Sequence, residues 1–190
     1  MGIAGSVQTR SNLTSDLSLP IEFLRRSAVE VARDLIGCSL CKRSTGGQIV
    51  SYCILETEAY LNEVDLASHA RFGKTRRNAL MFNNAGYWYA YLCYGIHVML
   101  NLIVDRKDMA SGVLIRGVEG ICGPGRVSKE LGIDMGYNGK LCSKQSNLWI
   151  ELSPEPRSDI RITATPRIGV KYAGPLWSQK PFRFVGEVRH

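Results

Sequence analysis

The stretch Tyr87–Val104, YWYAYLCYGIHVMLNLIV, predicts a β-hairpin and indicates the class of the fold. Its two runs, 87–93 and 97–104, are filled with aromatic and β-branched residues, which favour strands. Between them, Tyr94, Gly95 and Ile96 form a short tip, where glycine permits the turn. We therefore expect two antiparallel strands that protrude as a hairpin.

Along the whole chain, predicted strands outnumber predicted helices. Ser27 and Glu30 form a capping-box pattern before a helix that should end at Gly37. Asn62–Ala70 is predicted to be a short helix, and Gly123–Arg126 should open another. Further strands are predicted at Ser39–Lys42, Gln48–Glu56, Gly112–Val118, Trp149–Leu152, Ile160–Thr165 and Phe182–Val185. This order predicts an α+β fold with a curved, largely antiparallel sheet flanked by helices.

Length and composition fit a single mixed domain. The chain has 190 residues, of which 45% are hydrophobic and 22% charged, ordinary values for a globular protein. Residues 1–19 are small and polar, so we expect a disordered N-terminal tail followed by a domain over 20–190. The chain has no run of 18 apolar residues, and we predict no membrane span.

The cysteines suggest a reducing compartment. Several of the six lie in apolar, strand-like runs, where cysteine packs as a small hydrophobe. No secretory segment opens the chain, so we expect an intracellular protein, in the cytoplasm or nucleoid of a bacterium or the nucleus of a eukaryote. Cys38 and Cys41 have zinc-like spacing, but no second pair completes a site. We predict that both are core residues, and we expect neither metal nor cofactor.

Positive charge is concentrated beside the hairpin. The net charge is +7, and no Asp or Glu occurs from Leu66 to Val104. That span contains Arg71, Lys74, Arg76 and Arg77. On charge alone, a solvated loop is as good an interpretation as a polyanion-binding surface. A large aromatic residue at the hairpin tip favours nucleic acid, because aromatic wedges unstack DNA from the minor groove.

Two carboxylates follow an apolar run in ILETEAYLNEVDLASHA, residues 54–70. On a strand, Glu56, Glu58 and Tyr60 share one face. Carboxylates at strand ends are usually solvated, and burial is costly unless they are paired or used. The basic span and the clustered tyrosines favour a catalytic use for one of them.

The chain resembles the alkyladenine (3-methyladenine) DNA glycosylases, the eukaryotic-type enzymes with one mixed domain. The resemblance runs from Pro20 to Val185. It rests on LETEAY (55–60), His69, RN (77–78), MF (81–82), Gly86, Tyr89, Tyr91, YG (94–95), Asn101, Arg116, GPGR (123–126), RIGV (167–170), AG (173–174), Trp177 and KPFRF (180–184). It implies an enzyme that flips a damaged purine out of duplex DNA. Hydrolysis of the N-glycosidic bond would then leave an abasic site.

The resemblance also implies roles for the acidic strand end. Glu58 would be the general base that activates a water for attack on C1′. Arg116 and the backbone carbonyl of Ile168 would help hold Glu58 and the water, and the arginine would favour the ionised carboxylate. Glu56 would then need another partner, which we expect to be an ion pair. No lysine takes the position of a nucleophile, so the implied glycosylase is monofunctional.

The pocket and the wedge follow from the same resemblance. Tyr60, His69 and Tyr91 would form the walls of a base pocket that attracts cationic purines through cation–π interactions. Asn101 would exclude the exocyclic amino group of normal guanine by a steric clash. Tyr94 would fill the space that the flipped nucleotide leaves, with Ile96 as a second apolar wedge.

The basic residues would contact the DNA backbone. Affinity without sequence preference is expected from Arg71, Lys74, Arg76, Arg77 and Arg126. For Arg77 and Asn78, the alternative to a contact with the DNA backbone is a structural role. Where family members carry a longer insert after Glu119, this chain has only Gly120, which bears on its non-specific DNA affinity.

Two other classes of function stay open on the sequence. A non-catalytic binder of damaged or bent DNA would use Tyr94 and the arginines but would not need Glu58. A hydrolase of free nucleosides would need neither the wedge nor the basic span. Within the glycosylase interpretation, the sequence does not rank 3-methyladenine, 7-methylguanine, hypoxanthine and ethenoadenine as substrates. We expect a monomer that acts on double-stranded DNA.

Overall fold

The computed structural model describes residues 18–153 and 157–189, and within them the strands form one nine-stranded sheet. The strands are β1 Ser39–Arg43, β2 Ile49–Tyr60, β3 Trp88–Cys93, β4 His97–Val104, β5 Ser111–Val118, β6 Ile121–Cys122, β7 Leu148–Glu151, β8 Ile160–Thr165 and β9 Arg183–Val188. Their order is β3-β4-β5-β2-β1-β7, while β6 pairs with β5 and β9 pairs with both β2 and β8. The strand pairs are antiparallel. The predicted α+β class is confirmed.

Few helices accompany the sheet. The α-helices are Ile21–Leu24, Ala28–Asp34, Pro124–Glu130 and Gly174–Ser178. Short 3-10 helices lie at His69–Phe72, Ala79–Phe82, Met135–Tyr137, Lys144–Ser146 and Lys171–Ala173. The predicted capping box of Ser27 and Glu30 is present at the start of Ala28–Asp34. Beyond that helix, Gly37 adopts a φ of 91°, a left-handed conformation that suits glycine.

Strand β2 is the longest and organises the site. Its first five residues pair with β1, and six of its last seven pair with β5 or β9. The sequence placed its end at Glu56, but it continues to Tyr60 because Glu58 is paired with a neighbour on each side. The register shifts between Ile54 and Thr57 show a bulge in β2 at this point.

The predicted hairpin is confirmed. Strands β3 and β4 pair from Trp88↔Leu102 to Cys93↔His97, which leaves a three-residue tip. In the tip, Tyr94 and Gly95 both adopt positive φ, at 51° and 74°. The glycine accepts this conformation freely, whereas the tyrosine is strained.

The two faces of the sheet have different roles. One face packs against helix Ala28–Asp34, and the hydroxyl of Thr57 donates a hydrogen bond to the Ala32 carbonyl there at 2.7 Å. The largest fully buried side chains of this main core include Trp88, Trp149, Leu100, Leu102, Ile115 and Ile150. The other face carries Glu58, Tyr60, Tyr89 and Tyr91, so the alternation of β-strands separates the core from the site.

The predicted helix at Asn62–Ala70 is wrong. The segment consists of turns, and only its last two residues enter a 3-10 helix, His69–Phe72. Asp65 accepts hydrogen bonds from the Leu61 and Ala67 amides, at 3.0 Å each. Such bonds from side chain to backbone compete with helix formation.

Ser18 and Leu19, the last two residues of the predicted tail, pack against the domain. The amide of Ser18 donates to the Cys142 carbonyl at 3.1 Å, and Leu19 is buried in the main core. The rest of the predicted tail, residues 1–17, lies outside the described residues. Across 18–153 and 157–189, no helix has the length and apolar character needed to span a membrane.

Candidate active site

The strand register brings the predicted site residues into one row across the sheet. Tyr89 on β3 pairs with Asn101 on β4, Asn101 pairs with Leu114 on β5, and Leu114 pairs with Glu58 on β2. Residues paired across strands project to the same face of a sheet. Tyr60 lies two residues beyond Glu58 and pairs with Gly112. Residues that are distant in sequence therefore line one surface.

A pocket opens on this face, with an empty volume of about 400 Å³ including its mouth. All four residues expected in a base pocket line it: Tyr60, His69, Tyr91 and Asn101. The amide nitrogen of Asn101 donates to the backbone carbonyls of Tyr89 and Met99, which fixes the orientation of this buried side chain.

Five further residues line the pocket and were not predicted as pocket residues: Ala67, Met81, Tyr89, Gly112 and Tyr172. Tyr89 could have been found, since it alternates with Tyr91 on the hairpin. Tyr172 gave no such signal. Its hydroxyl donates to the Ala67 carbonyl at 2.9 Å, so it joins two loops at the mouth of the pocket.

His69 and two tyrosines make up one wall. The His69 and Tyr91 rings meet edge to face with centroids 4.5 Å apart, and the Tyr89 and Tyr91 centroids are 5.5 Å apart. Nδ1 of His69 lies 3.1 Å from the Tyr89 hydroxyl. Burial, followed by the charges of Arg77 and Arg71, lowers the pKa of His69. This wall is therefore aromatic and, at neutral pH, uncharged.

Tyr60 joins the pocket to the buried carboxylate. Its hydroxyl donates to Oε2 of Glu58 at 2.8 Å. Burial, followed by the negative charge of Glu58, raises the pKa of Tyr60 well above its usual range. The phenol therefore stays protonated and keeps donating. The guanidinium of Arg167 lies 4.7 Å from the centre of the Tyr60 ring.

Glu58 is fully buried, with 0% of its surface exposed. Its Oε1 accepts a hydrogen bond from the amide N–H of Ile168 at 2.8 Å and lies 3.6 Å from Nε of Arg116. Arg116 and Ile168 therefore both contact Glu58, as the resemblance implied. The Ile168 contact runs through the amide, however, where the carbonyl was expected. Two hydrogen bonds, from Tyr60 and Ile168, and the nearby guanidinium of Arg116 hold the buried carboxyl group in place.

Glu56 has the ion pair that was expected for it. Its Oε1 lies 2.8 Å from Nε of Arg116 and 2.5 Å from Nε of Arg183. Arg116 thus serves both carboxylates, with the shorter contact to Glu56. Two guanidinium groups, those of Arg116 and Arg183, form close ion pairs with Glu56. Glu58 instead accepts hydrogen bonds from Tyr60 and Ile168, so the two glutamates have different partners.

A second ion pair lies under the pocket and was not predicted. Arg167 and Asp65 form two hydrogen bonds, at 2.6 and 2.9 Å, and both side chains have no exposed surface. Arg167 also donates to the Ala59 carbonyl of β2 at 2.8 Å. This pair ties the turn before His69 to the strand that carries Glu58 and Tyr60.

The expected wedge and the expected phosphate contacts lie on the surface. Tyr94 is 92% exposed and Ile96 is 72% exposed. Lys74, Arg76, Arg77 and Arg126 are exposed, and Arg71 is half-buried. In the first turn of helix Pro124–Glu130, a Cβ at Gly125 would meet the His97 ring at 3.1 Å. Because Gly125 has no side chain, His97 at the start of β4 can pack closely against the helix.

Asn78 has a structural role. Its side chain is buried and donates to the carbonyls of His69 and Gly73, at 2.8 and 2.9 Å. It also accepts from the Thr75 amide at 2.6 Å. These bonds pin the basic loop, residues 73–78, against the start of the 3-10 helix that carries His69. Arg77 is not part of this bonding.

Cys38 and Cys41 belong to the core, as predicted. Cys38 and Cys41 are both buried in the main core, and all six cysteines are free thiols. Burial raises the pKa of Cys38 to about 11 and that of Cys142 to about 12. Within the described part of the chain, no group of three or more His, Cys, Asp or Glu side chains is placed to hold a metal ion.

The chain is similar to proteins of one family. The family model for methylpurine-DNA glycosylase matches residues 22–123 and 120–189. The chain is 42% identical over 178 residues to a protein of Anaeromyxobacter sp. (strain Fw109-5), an alignment that covers 90% of each chain. It is 41% identical over 175 residues to a protein of Myxococcus xanthus (strain DK1622), covering 87% of this chain and 88% of the relative. Both relatives carry the name "Putative 3-methyladenine DNA glycosylase".

Proposed function

This chain belongs to the methylpurine-DNA glycosylase family, and on that premise we propose that it excises damaged purines from duplex DNA. The substrate class is alkylated or deaminated purine: 3-methyladenine, 7-methylguanine, hypoxanthine and ethenoadenine. The observation that carries the proposal is the buried Glu58 carboxylate, which the Tyr60 hydroxyl joins to an aromatic pocket at 2.8 Å. A base in that pocket would place its glycosidic bond beside a carboxylate.

The pocket would bind the flipped base between aromatic rings. His69 and Tyr91 contact each other and form one wall, while Tyr60 packs in a separate cluster with Ala67 and Val170. A positively charged alkylated purine is attracted to the electron-rich faces of such rings. The fixed amide of Asn101 would reject the amino group of guanine by a steric clash. Base selection would thus combine attraction with exclusion.

Glu58 would act as the general base. It would take a proton from a water that attacks C1′ of the sugar, and its negative charge would stabilise the developing oxocarbenium ion. Ile168 and Arg116 hold one of its oxygens, which leaves the Tyr60-bonded oxygen on the pocket side. None of the described residues that line the pocket is a lysine. This supports a monofunctional enzyme that leaves the strand uncut.

Duplex DNA would be engaged by the exposed groups around the pocket. Tyr94 would enter the stack with Ile96 and fill the space of the flipped nucleotide. Arg71, Lys74, Arg76, Arg77 and Arg126 would contact phosphates and supply affinity without sequence preference. We propose that the protein acts as a monomer. We also place the protein inside the cell, where genomic DNA is its substrate.

The test is base release under single-turnover conditions. Duplexes with one hypoxanthine or one alkylated adenine are incubated with excess protein, with an undamaged duplex as the control. We expect free base from the damaged duplexes alone, and strands that break only after alkali treatment. Strand breaks without alkali would exclude the monofunctional reaction. Binding without any base release would favour the non-catalytic damage binder.

Salt separates this function from the hydrolysis of free nucleosides. If the protein contacts phosphates, the logarithm of its affinity for duplex DNA falls linearly and steeply with the logarithm of the salt concentration. A nucleoside hydrolase would show no such dependence for its substrate. Free inosine, offered as a competitor, should then leave base release from a hypoxanthine duplex nearly unchanged.

A further inference from the structure

A second cleft adjoins the base pocket and has no assigned role. Its empty volume is about 490 Å³ including its mouth, and its lining includes His69, Arg71, Phe72, Arg77 and Tyr89. His69 and Tyr89 also line the base pocket. The two clefts therefore share a wall of two side chains, and a ligand in one lies directly beside a ligand in the other.

Phe72 is the unusual member of this lining. It is 78% exposed, which is unfavourable for a phenylalanine side chain unless it meets a partner. The guanidinium of Arg71 lies over the Phe72 ring, 4.4 Å from the ring centre. Arg71 lies 5.1 Å from the ring of Tyr172, so it is held between two aromatic side chains. The rest of the Phe72 surface is open to solvent.

The cleft is also positively charged and preorganised. Arg71 and Arg77 contribute two guanidinium groups, and no Asp or Glu is among its lining residues. Asn78, which is buried, fixes the loop that carries Arg77 through its bonds to His69, Gly73 and Thr75. An aromatic ring next to two guanidinium groups has the features of a nucleotide site: a base can stack while its phosphate is bonded.

We propose that this cleft, the flanking cleft, binds the nucleotide next to the flipped one, with its base stacked on Phe72 and its phosphate bonded to Arg77. The inference rests on the proposed function, because it takes the base pocket to hold a flipped purine. The flipped nucleotide stays covalently joined to its neighbours through their shared phosphates, so a neighbouring phosphate must lie close to the shared wall. The protein would then bind two consecutive nucleotides: the damaged one in the base pocket and its neighbour in the flanking cleft, by stacking on Phe72.

The test combines a protein change with a DNA change. Phe72→Ala and wild type are compared for affinity to a lesion duplex with intact neighbours. They are then compared on duplexes in which the base 5′ or 3′ of the lesion is replaced by an abasic tetrahydrofuran spacer. Phe72→Tyr keeps an aromatic ring, and Ile49→Ala removes a different exposed apolar side chain, 51% exposed at the start of β2.

On the intact duplex, Phe72→Ala should bind about five- to a hundredfold more weakly, the range for the loss of one base–aromatic stack. On one of the two spacer duplexes, wild type and Phe72→Ala should bind within about twofold of each other, because the base that Phe72 contacts is gone. Phe72→Tyr should restore binding to the intact duplex, and Ile49→Ala should match wild type.

Two outcomes would overturn the inference. One is equal affinity of Phe72→Ala and wild type for the intact duplex; the other is an equal loss on the intact duplex and both spacer duplexes. Either can occur while wild type still releases damaged bases, so the flanking cleft can fail without the proposed function. If wild type releases no base, the proposed function fails whatever the affinities are.

Discussion

The hydroxyl of Tyr60 donates a hydrogen bond to Oε2 of Glu58 across 2.8 Å, and it connects the wall of the pocket to a carboxylate with no exposed surface. Both residues lie on β2, two positions apart, so the strand itself holds them side by side. The stacking surface for a base and the group proposed to activate water are therefore one rigid unit.

Tyr60→Phe tests this connection. The ring that stacks on the base is kept, but one oxygen of the buried carboxylate loses its donor, and such a loss amounts to about 1–3 kcal/mol. We expect base release to slow by about tenfold or more, while the affinity for lesion DNA changes little. Single-turnover rates and binding curves on the same duplex measure the two effects. A variant as fast as wild type would show that the bond does not orient Glu58.

Tyr94→Gly separates the wedge from the fold. Tyr94 adopts a φ of 51° at the hairpin tip, a conformation that is strained for tyrosine and free for glycine. We expect a melting temperature within a few degrees of wild type, together with base release slower by about tenfold or more, since one aromatic contact is lost. Met135→Ala, which truncates another exposed side chain, is the control. If Tyr94→Gly retains full activity, the wedge assignment is wrong.

Arg167→Met tests the ion pair beneath the pocket. It leaves the Asp65 charge buried without its partner, and breaking such pairs costs about 3–5 kcal/mol. Urea unfolding should show that loss as a lower free energy of unfolding. Arg157→Met breaks an exposed pair with Asp159 and serves as the control, with little change expected. Equal effects of the two substitutions would mean that the Arg167 pair does not stabilise the fold.

His69 predicts a contribution to the pH dependence of stability. Burial, and then Arg77 and Arg71, lower its pKa from 6.5, so the unfolded chain takes up this proton at a higher pH than the folded protein does. The contribution of neutral His69 is present above about pH 6.5 and is lost as the pH falls further. Between pH 7.5 and 5, the free energy of unfolding should therefore drop more for wild type than for His69→Gln. The same drop in both proteins would contradict a lowered pKa.

Local signals in the sequence predicted much of the fold. The capping box at Ser27, the three-residue tip at Tyr94 and the helix after Gly123 all depend on nearby residues. Patterns of this kind are visible without knowledge of the tertiary structure. The predicted Asn62–Ala70 helix is absent because Asp65 bonds to the Leu61 and Ala67 amides, in an orientation that a distant residue stabilises. Asp65 pairs with Arg167, 102 positions away, and no local pattern shows this.

The site was predictable where the resemblance supplied positions. All four expected pocket residues line one cavity, but the sequence did not indicate Tyr172, which reaches the pocket from a distant loop to bond the Ala67 carbonyl. The sequence also did not show that Arg116 lies closer to Glu56 than to Glu58. That division depends on Arg183, which β9 brings to the opposite edge of β2 from β5.

The most direct test of the central claim compares base release by wild type, Glu58→Gln and Glu56→Gln under single-turnover conditions. Glutamine keeps the shape of either side chain, and it can still accept the bond from Ile168 at position 58. General-base catalysis contributes about 10²- to 10⁴-fold. We predict a loss of that size for Glu58→Gln with lesion binding retained, and a much smaller loss for Glu56→Gln. Release by Glu58→Gln at the wild-type rate would contradict the account.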